Sequence, residues 1–151
     1  MAWAENPRSK IVLIVDDDPI LREVMSAKLA ETGFIATCVE DGEEACNHLG
    51  SERYSLALVD LNMPKLDGFG LLRHIRQHPR TVDLPVIVVT SNDDKGSIEK
   101  AYALGASSFI TKPVNWSQFL HHVRFVVRSG ETEQALRRAQ AEAGRTASFT
   151  C

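Results

Sequence analysis

The chain has 151 residues, 44% of them hydrophobic, enough for one ordinary domain with a core of its own. A formal charge of −3 argues against a strong electrostatic footprint for nucleic acid or an anionic membrane surface. No apolar run approaches the ~20 residues that span a bilayer, and the opening MAWAENPRSK reads as a polar arm (1–8) without the apolar core of a signal peptide.

In chain order, KIVLIV (10–15) predicts a first strand. DDDP then leads into a helix striped by Ile20, Leu21, Val24, Met25 and Leu29, with Pro19 suited to its first turn and Gly33 to its stop. A weaker strand, FIATCV (34–39), precedes a short helix that Asp41 can cap and that carries Ala45 and Leu49. SLALV (55–59) predicts a strand ending on Asp60. Asp67-Gly68 reads as a turn, and Phe69, Leu72 and Ile75 stripe the third helix. PVIVVT (85–90) is followed by a helix striped by Ile98, Ala101, Tyr102 and Leu104 and closed by Gly105. SSFIT (107–111) precedes a fifth helix, with Asn115 as its cap and Trp116, Phe119, Leu120, Val123, Val126 and Val127 on one side.

Continuous rather than alternating apolar runs point to parallel strands covered on both faces. Strand and helix alternate five times, so the fold class is α/β, a doubly wound (βα)5 parallel sheet with right-handed crossovers. The domain spans 9–128. From 129 to 151 the chain turns polar and rich in Glu, Arg and Ala, a helical extension or linker whose last residues, GRTASFTC, read as disordered. Cys38, Cys46 and Cys151 are odd in number and lack metal-type spacing, which suggests a reducing, cytoplasmic setting with the first two as buried thiols.

In open α/β sheets the working site lies beyond the carboxyl ends of the strands. The residues there are Asp16, Asp17 and Asp18 after the first strand, Asp60 after the third, Thr90 and Ser91 at the fourth and Lys112 after the fifth. Singly, each has an ordinary reading: a cap, a turn, a β-branched strand residue, a solvated lysine. Together they place crowded carboxylates, a hydroxyl and an ammonium at one edge. Crowded carboxylates raise one another's pKa, and a hard cation such as Mg²⁺ relieves that conflict through oxygen ligands. The set is complementary to a transferring phosphoryl group. No Walker-type glycine-rich loop accompanies it.

VDDDP, LVDLNMPKLDG, VVTS and FITKP resemble the signature segments of the receiver domain of two-component response regulators. The resemblance implies a flavodoxin-like strand order of 2-1-3-4-5. It implies that Asp60 is the phosphoacceptor, charged by a sensor histidine kinase, a phosphotransfer protein or a small phosphodonor. Asp17, Asp60 and the Asn62 carbonyl would bind Mg²⁺, with Asp16 acting through water. Lys112 would contact the phosphoryl group, with a cis bond to Pro113. Thr90 and the aromatic Phe109 would be the switch pair, and the face formed by the fourth helix, fifth strand and fifth helix would support homodimerisation. No substrate turnover, nucleic-acid binding or membrane association is implied. KPVNW and VRFVVR resemble receivers that precede diguanylate cyclase or cyclic-di-GMP phosphodiesterase domains, which implies either a stand-alone receiver or, as the tail favours, the N-terminal piece of a longer regulator. Two rivals compete: a haloacid-dehalogenase-like phosphatase with Asp16 as nucleophile, and a phosphorylation-independent docking module. Pro19 and the lack of a cap domain tell against the first, and the complete acid and lysine set tells against the second.

Overall fold

The computed structural model describes residues 11–150; the polar arm expected at 1–8 and Cys151 lie outside that range. Five strands, β1 (Ile11–Val15), β2 (Ile35–Val39), β3 (Leu56–Val59), β4 (Val86–Thr90) and β5 (Ser108–Thr111), alternate with five helices. These are α1 (Pro19–Ala30), α2 (Gly42–Ser51), α3 (Gly68–Gln77), α4 (Lys95–Ala103) and α5 (Trp116–Thr150). The sheet is parallel throughout, in the order β2-β1-β3-β4-β5. The strand order reverses between β1 and β3, and this places a crevice at the carboxyl edge there.

The central strands are buried on both faces, and their alternate side chains feed two cores. Leu13, Val15, Ala57, Val59, Val86 and Val88 pack with α2, α3 and α4; Val12, Ile14, Leu56, Leu58, Ile87 and Val89 pack with α1 and α5. The edge strand β2 is partly exposed, which explains its weaker pattern and leaves Cys38 on the surface. The expectation of a buried Cys38 is thus corrected, and Cys46 is half-buried. Two residues of the predicted apolar stripes also face outward. Ile20 sits at the first turn of α1, 73% exposed, and Tyr102 on α4 is 47% exposed. Periodicity identifies a stripe without showing where the surface it packs against ends.

The caps follow local chemistry. Asp18 accepts from the Ile20 and Leu21 N–H groups, Asp41 from Glu44 and Asp94 from Ser97. Asp67 accepts from the Gly70 N–H at 2.8 Å, so the predicted Asp-Gly turn is also the N-cap of α3. Asn115 differs from expectation: its side-chain oxygen accepts the Ser117 hydroxyl at 2.7 Å.

Two features of the base were not legible in the sequence. Arg76 on α3 donates to the Gly105 carbonyl from Nε and Nη2, at 2.9 and 2.7 Å. Its Nη1 donates to the carbonyls of Val82 (3.1 Å) and Leu84 (2.6 Å). Its planar fork thereby ties α3 to the loops that lead into β4 and β5. Gly105, at φ +107, lies under the same side chain, and a Cβ there would fall 2.7 Å from Arg76 Cγ. Arg76→Ala leaves three carbonyls without their charged donor and is expected to cost about 3 kcal/mol in urea unfolding. A loss below about 1 kcal/mol would show that water replaces the clamp.

The second feature is the continuity of α5. The helix runs through Gly130 without interruption, so the boundary at 128/129 marks a change of surroundings and not of backbone conformation. Gly130 is where α5 crosses Pro85; a Cβ there would lie 2.6 Å from Pro85 Cγ. Beyond it, Gln134 donates to the Asp83 carbonyl, and Arg137 pairs with Asp83 and Glu133. No helix among the described residues is long and apolar enough to cross a membrane.

Candidate functional site

Backbone bonds carry the sheet past its last strand residues and fix the acids that follow. The Asp16 N–H donates to the Val39 carbonyl (3.2 Å) and the Asp60 N–H to that of Val15 (3.0 Å). Asp16 and Asp60 are therefore held on adjacent strands, 1% and 6% exposed, while Asp17 opens to solvent. From β5, on the far side of β4, the Lys112 N–H donates to the Thr90 carbonyl at 2.9 Å. This fixes the lysine stem, and the following bond to Pro113 is cis, as the resemblance implied.

The Lys112 ammonium bridges the two buried acids, 2.9 Å from Asp16 Oδ2 and 3.0 Å from Asp60 Oδ2. Their other oxygens are engaged too. Asp16 Oδ1 accepts from the Asp18 N–H at 2.9 Å and Asp60 Oδ1 from the Asn62 N–H at 3.2 Å. Thr90 is wholly buried, and its hydroxyl accepts the Asn92 N–H at 3.3 Å. Asn62 and Ser91 are exposed at the mouth, and Phe109 is half-buried against the core of α2, α3 and α4. Sequence reading did not single out Arg22, which donates to the Asp16 carbonyl at 2.7 Å and pins the end of β1 from α1. No short-range spacing advertises an arginine that reaches a backbone carbonyl.

Three carboxylates here face one ammonium, and two groups, Asp16 and Lys112, have shifted pKa values. Burial pushes the Asp16 carboxyl above its ordinary range, although the Asp18 N–H and Lys112 pull the other way. Burial also works against the Lys112 ammonium, yet the hydrogen bonds and charges of Asp16 and Asp60 outweigh it and raise its pKa. The two rises have different causes: burial for Asp16, and two neighbouring anions for Lys112.

An oxygen from each of Asp16, Asp17 and Asp60 lies within 4.8 Å of the others. An all-oxygen carboxylate set, under-neutralised and open to water at Asp17, has the chemistry that a hard divalent ion requires, so these residues fit Mg²⁺. A second acidic group, Glu40, Asp41 and Glu44, surrounds the cap of α2. Its carboxylates are used in capping: Asp41 accepts from the Glu44 N–H and Glu44 from the Glu40 N–H.

A flavodoxin-like sheet with an acidic, lysine-bridged pocket at its carboxyl edge defines a class of small signalling domains. The profile of the response regulator receiver domain matches residues 12–124, and the chain belongs to that family. It is 34% identical over 124 residues to the transcriptional activator protein IrlR of Burkholderia pseudomallei, an alignment covering 82% of this chain and 53% of that protein. It is 36% identical over 103 residues to a probable chemotaxis protein CheY of Rhizobium etli, covering 68% and 80%. The chain thus spans about half the length of the first curated relative and most of the second. Among solved structures, the receiver domain of sensor histidine kinase PA1611 from Pseudomonas aeruginosa matches with a TM-score of 0.72 and 28% identity. That match covers 78% of this chain and 97% of that one, which has a magnesium ion coordinated in its active-site cleft. The fold and family expectations are therefore borne out.

Proposed function

We propose that Asp60 accepts a phosphoryl group from the phosphohistidine of a sensor kinase or phosphotransfer protein. The observation that carries this reading is the Lys112 ammonium bridging Asp16 and Asp60 at 2.9 and 3.0 Å, with Thr90 buried at the end of the intervening strand. An Asp60 carboxylate oxygen attacks phosphorus as the donor's P–N bond breaks; the imidazole leaves with the electron pair and takes a proton. Asp17, Asp60 and the Asn62 carbonyl would hold Mg²⁺, which would offset charge on the phosphoryl oxygens. Asp16 acts through water and through its bond to Lys112.

Transfer replaces a carboxylate by a group with more negative charge and three acceptor oxygens. Lys112 follows that charge, and the Thr90 hydroxyl turns from the Asn92 N–H to donate to a phosphoryl oxygen. Phe109 moves inward as Thr90 vacates its position. Both residues lie on β4–β5, so the change reaches the α4-β5-α5 face, through which two copies pair. The α5 extension continues toward an output region, for which cyclic-di-GMP turnover is the reading that the VRFVVR segment favours. The chain is not an enzyme with a separate substrate, and it works in the cytoplasm, where Cys38 and Cys46 remain as free thiols.

Titration with magnesium and beryllofluoride, followed by amide NMR, tests this reading. Shifts should cluster at Thr90, Phe109 and Lys112 and require the metal. Shifts that are absent, or equal in EDTA, would overturn it. Gel filtration under the same conditions should show dimers, and unchanged elution would remove the pairing claim.

A further inference from the structure

The loop between β3 and α3 supplies both Asp60 and Asn62, so its conformation decides where the Asn62 carbonyl points. Its described backbone hydrogen bonds sit at its two ends: Asp60 to Val15, and Gly68 to the Leu61 carbonyl at 3.0 Å. Lys65 and Leu66, between those ends, instead rest on the N-terminus of α2. A Cβ on Gly42 would fall 2.2 Å from the Leu66 carbonyl oxygen and 2.8 Å from the Leu66 Cβ. Only a residue without a side chain permits that approach. Next to it, Lys65 adopts φ 64, the one positive value at a non-glycine among the described residues. Its ammonium lies 3.6 Å from Asp41 Oδ2, the 6%-exposed carboxylate whose other oxygen caps α2. A left-handed lysine is disfavoured by Cβ crowding, so the loop holds this shape because something outside it does the holding.

We infer that Gly42, with the Asp41–Lys65 pair, is a positioning device for the metal-binding loop: α2 forms the floor that sets the Asn62 carbonyl. This rests on the proposed metal role of Asp17, Asp60 and Asn62 and adds residues from an element that touches neither metal nor phosphoryl group. A backbone seat of this kind acts as an outer-shell partner does, by fixing the orientation of a ligand it does not replace. Raising the Leu66 carbonyl to admit a methyl group displaces the loop between its two hydrogen-bonded ends.

The test is magnesium binding by calorimetry and by the magnesium-dependent gain in melting temperature, with magnesium chloride as the probe. Gly42→Ala is expected to weaken magnesium about tenfold and to lose most of that thermal gain, beyond any change in EDTA. Gly50→Ala, on the same helix with nothing within 4 Å of its added Cβ, should bind as wild type does. Asp41→Asn keeps a capping side chain and removes the charge, and should weaken magnesium by a smaller factor even if Gly42→Ala does not fold. Gly42→Ala or Asp41→Asn with wild-type magnesium affinity would overturn the inference while leaving the metal site intact. A wild-type protein without any magnesium-dependent gain would overturn both.

Discussion

Lys112→Ala is expected to lower the stability of the metal-free protein by about 3 kcal/mol, because removing one partner of a buried pair strands the other. Here it strands two: Asp16 and Asp60 are almost wholly enclosed, and Lys112 is the cation between them. The pH dependence follows from the directions of the shifts. Lys112 has its pKa raised, so its contribution is complete below the ordinary lysine value and disappears as pH rises through the folded value. Asp16 also has a raised pKa, mainly from burial, so its ionisation costs stability as pH rises above the ordinary carboxylate range. Without the lysine that cost grows. The variant should therefore recover part of its loss as acid protonates Asp16, and at neutral pH magnesium should recover part by supplying positive charge. Urea unfolding of the two proteins in EDTA and in magnesium, at pH 5 and pH 7, checks this. A variant as stable as wild type in EDTA at neutral pH would mean that water, and not lysine, balances the acids.

The second large effect is on chemistry. Asp60→Asn keeps the shape of the side chain and the Lys112–Asp16 bond but removes the nucleophile. Phosphoryl uptake from acetyl phosphate should fall by about a thousandfold or more, with metal-free stability changed by no more than about 1 kcal/mol, since one of three crowded carboxylates is gone. Radiolabel incorporation and urea unfolding read the two quantities separately. A large stability loss with little loss of label would assign Asp60 a structural role.

Much of this was legible because parallel strands buried on both faces write themselves as unbroken apolar runs, and the residue after each run is the site. Asp16, Asp60, Thr90 and Lys112 could be named from position alone, since the sheet brings its carboxyl ends together whatever the loops do. Caps at Asp18 and Asp41 were equally local. The misreadings share a different cause. Cys38 and Tyr102 lie where the partner surface ends, and no periodicity marks an edge. Asp67 was read as a turn because Asp-Gly serves turn and cap alike. Arg22, Arg76 and Gly42 act on backbone atoms outside their own helices, and a carbonyl has no residue type to pair with in a pattern. The helical tail shows the limit in reverse: Gly130 weakens a helix by propensity, yet α5 continues because the missing side chain is what lets it lie against Pro85.

Phosphopeptide mapping most directly tests the claim that Asp60 receives the phosphoryl group. The protein is treated with acetyl phosphate, with magnesium or EDTA, and the acyl phosphate is trapped by borohydride reduction before mass spectrometry. The account predicts modification at Asp60 alone, present with magnesium and absent with EDTA. Modification at Asp16, or equal modification of Asp60 without magnesium, would contradict it.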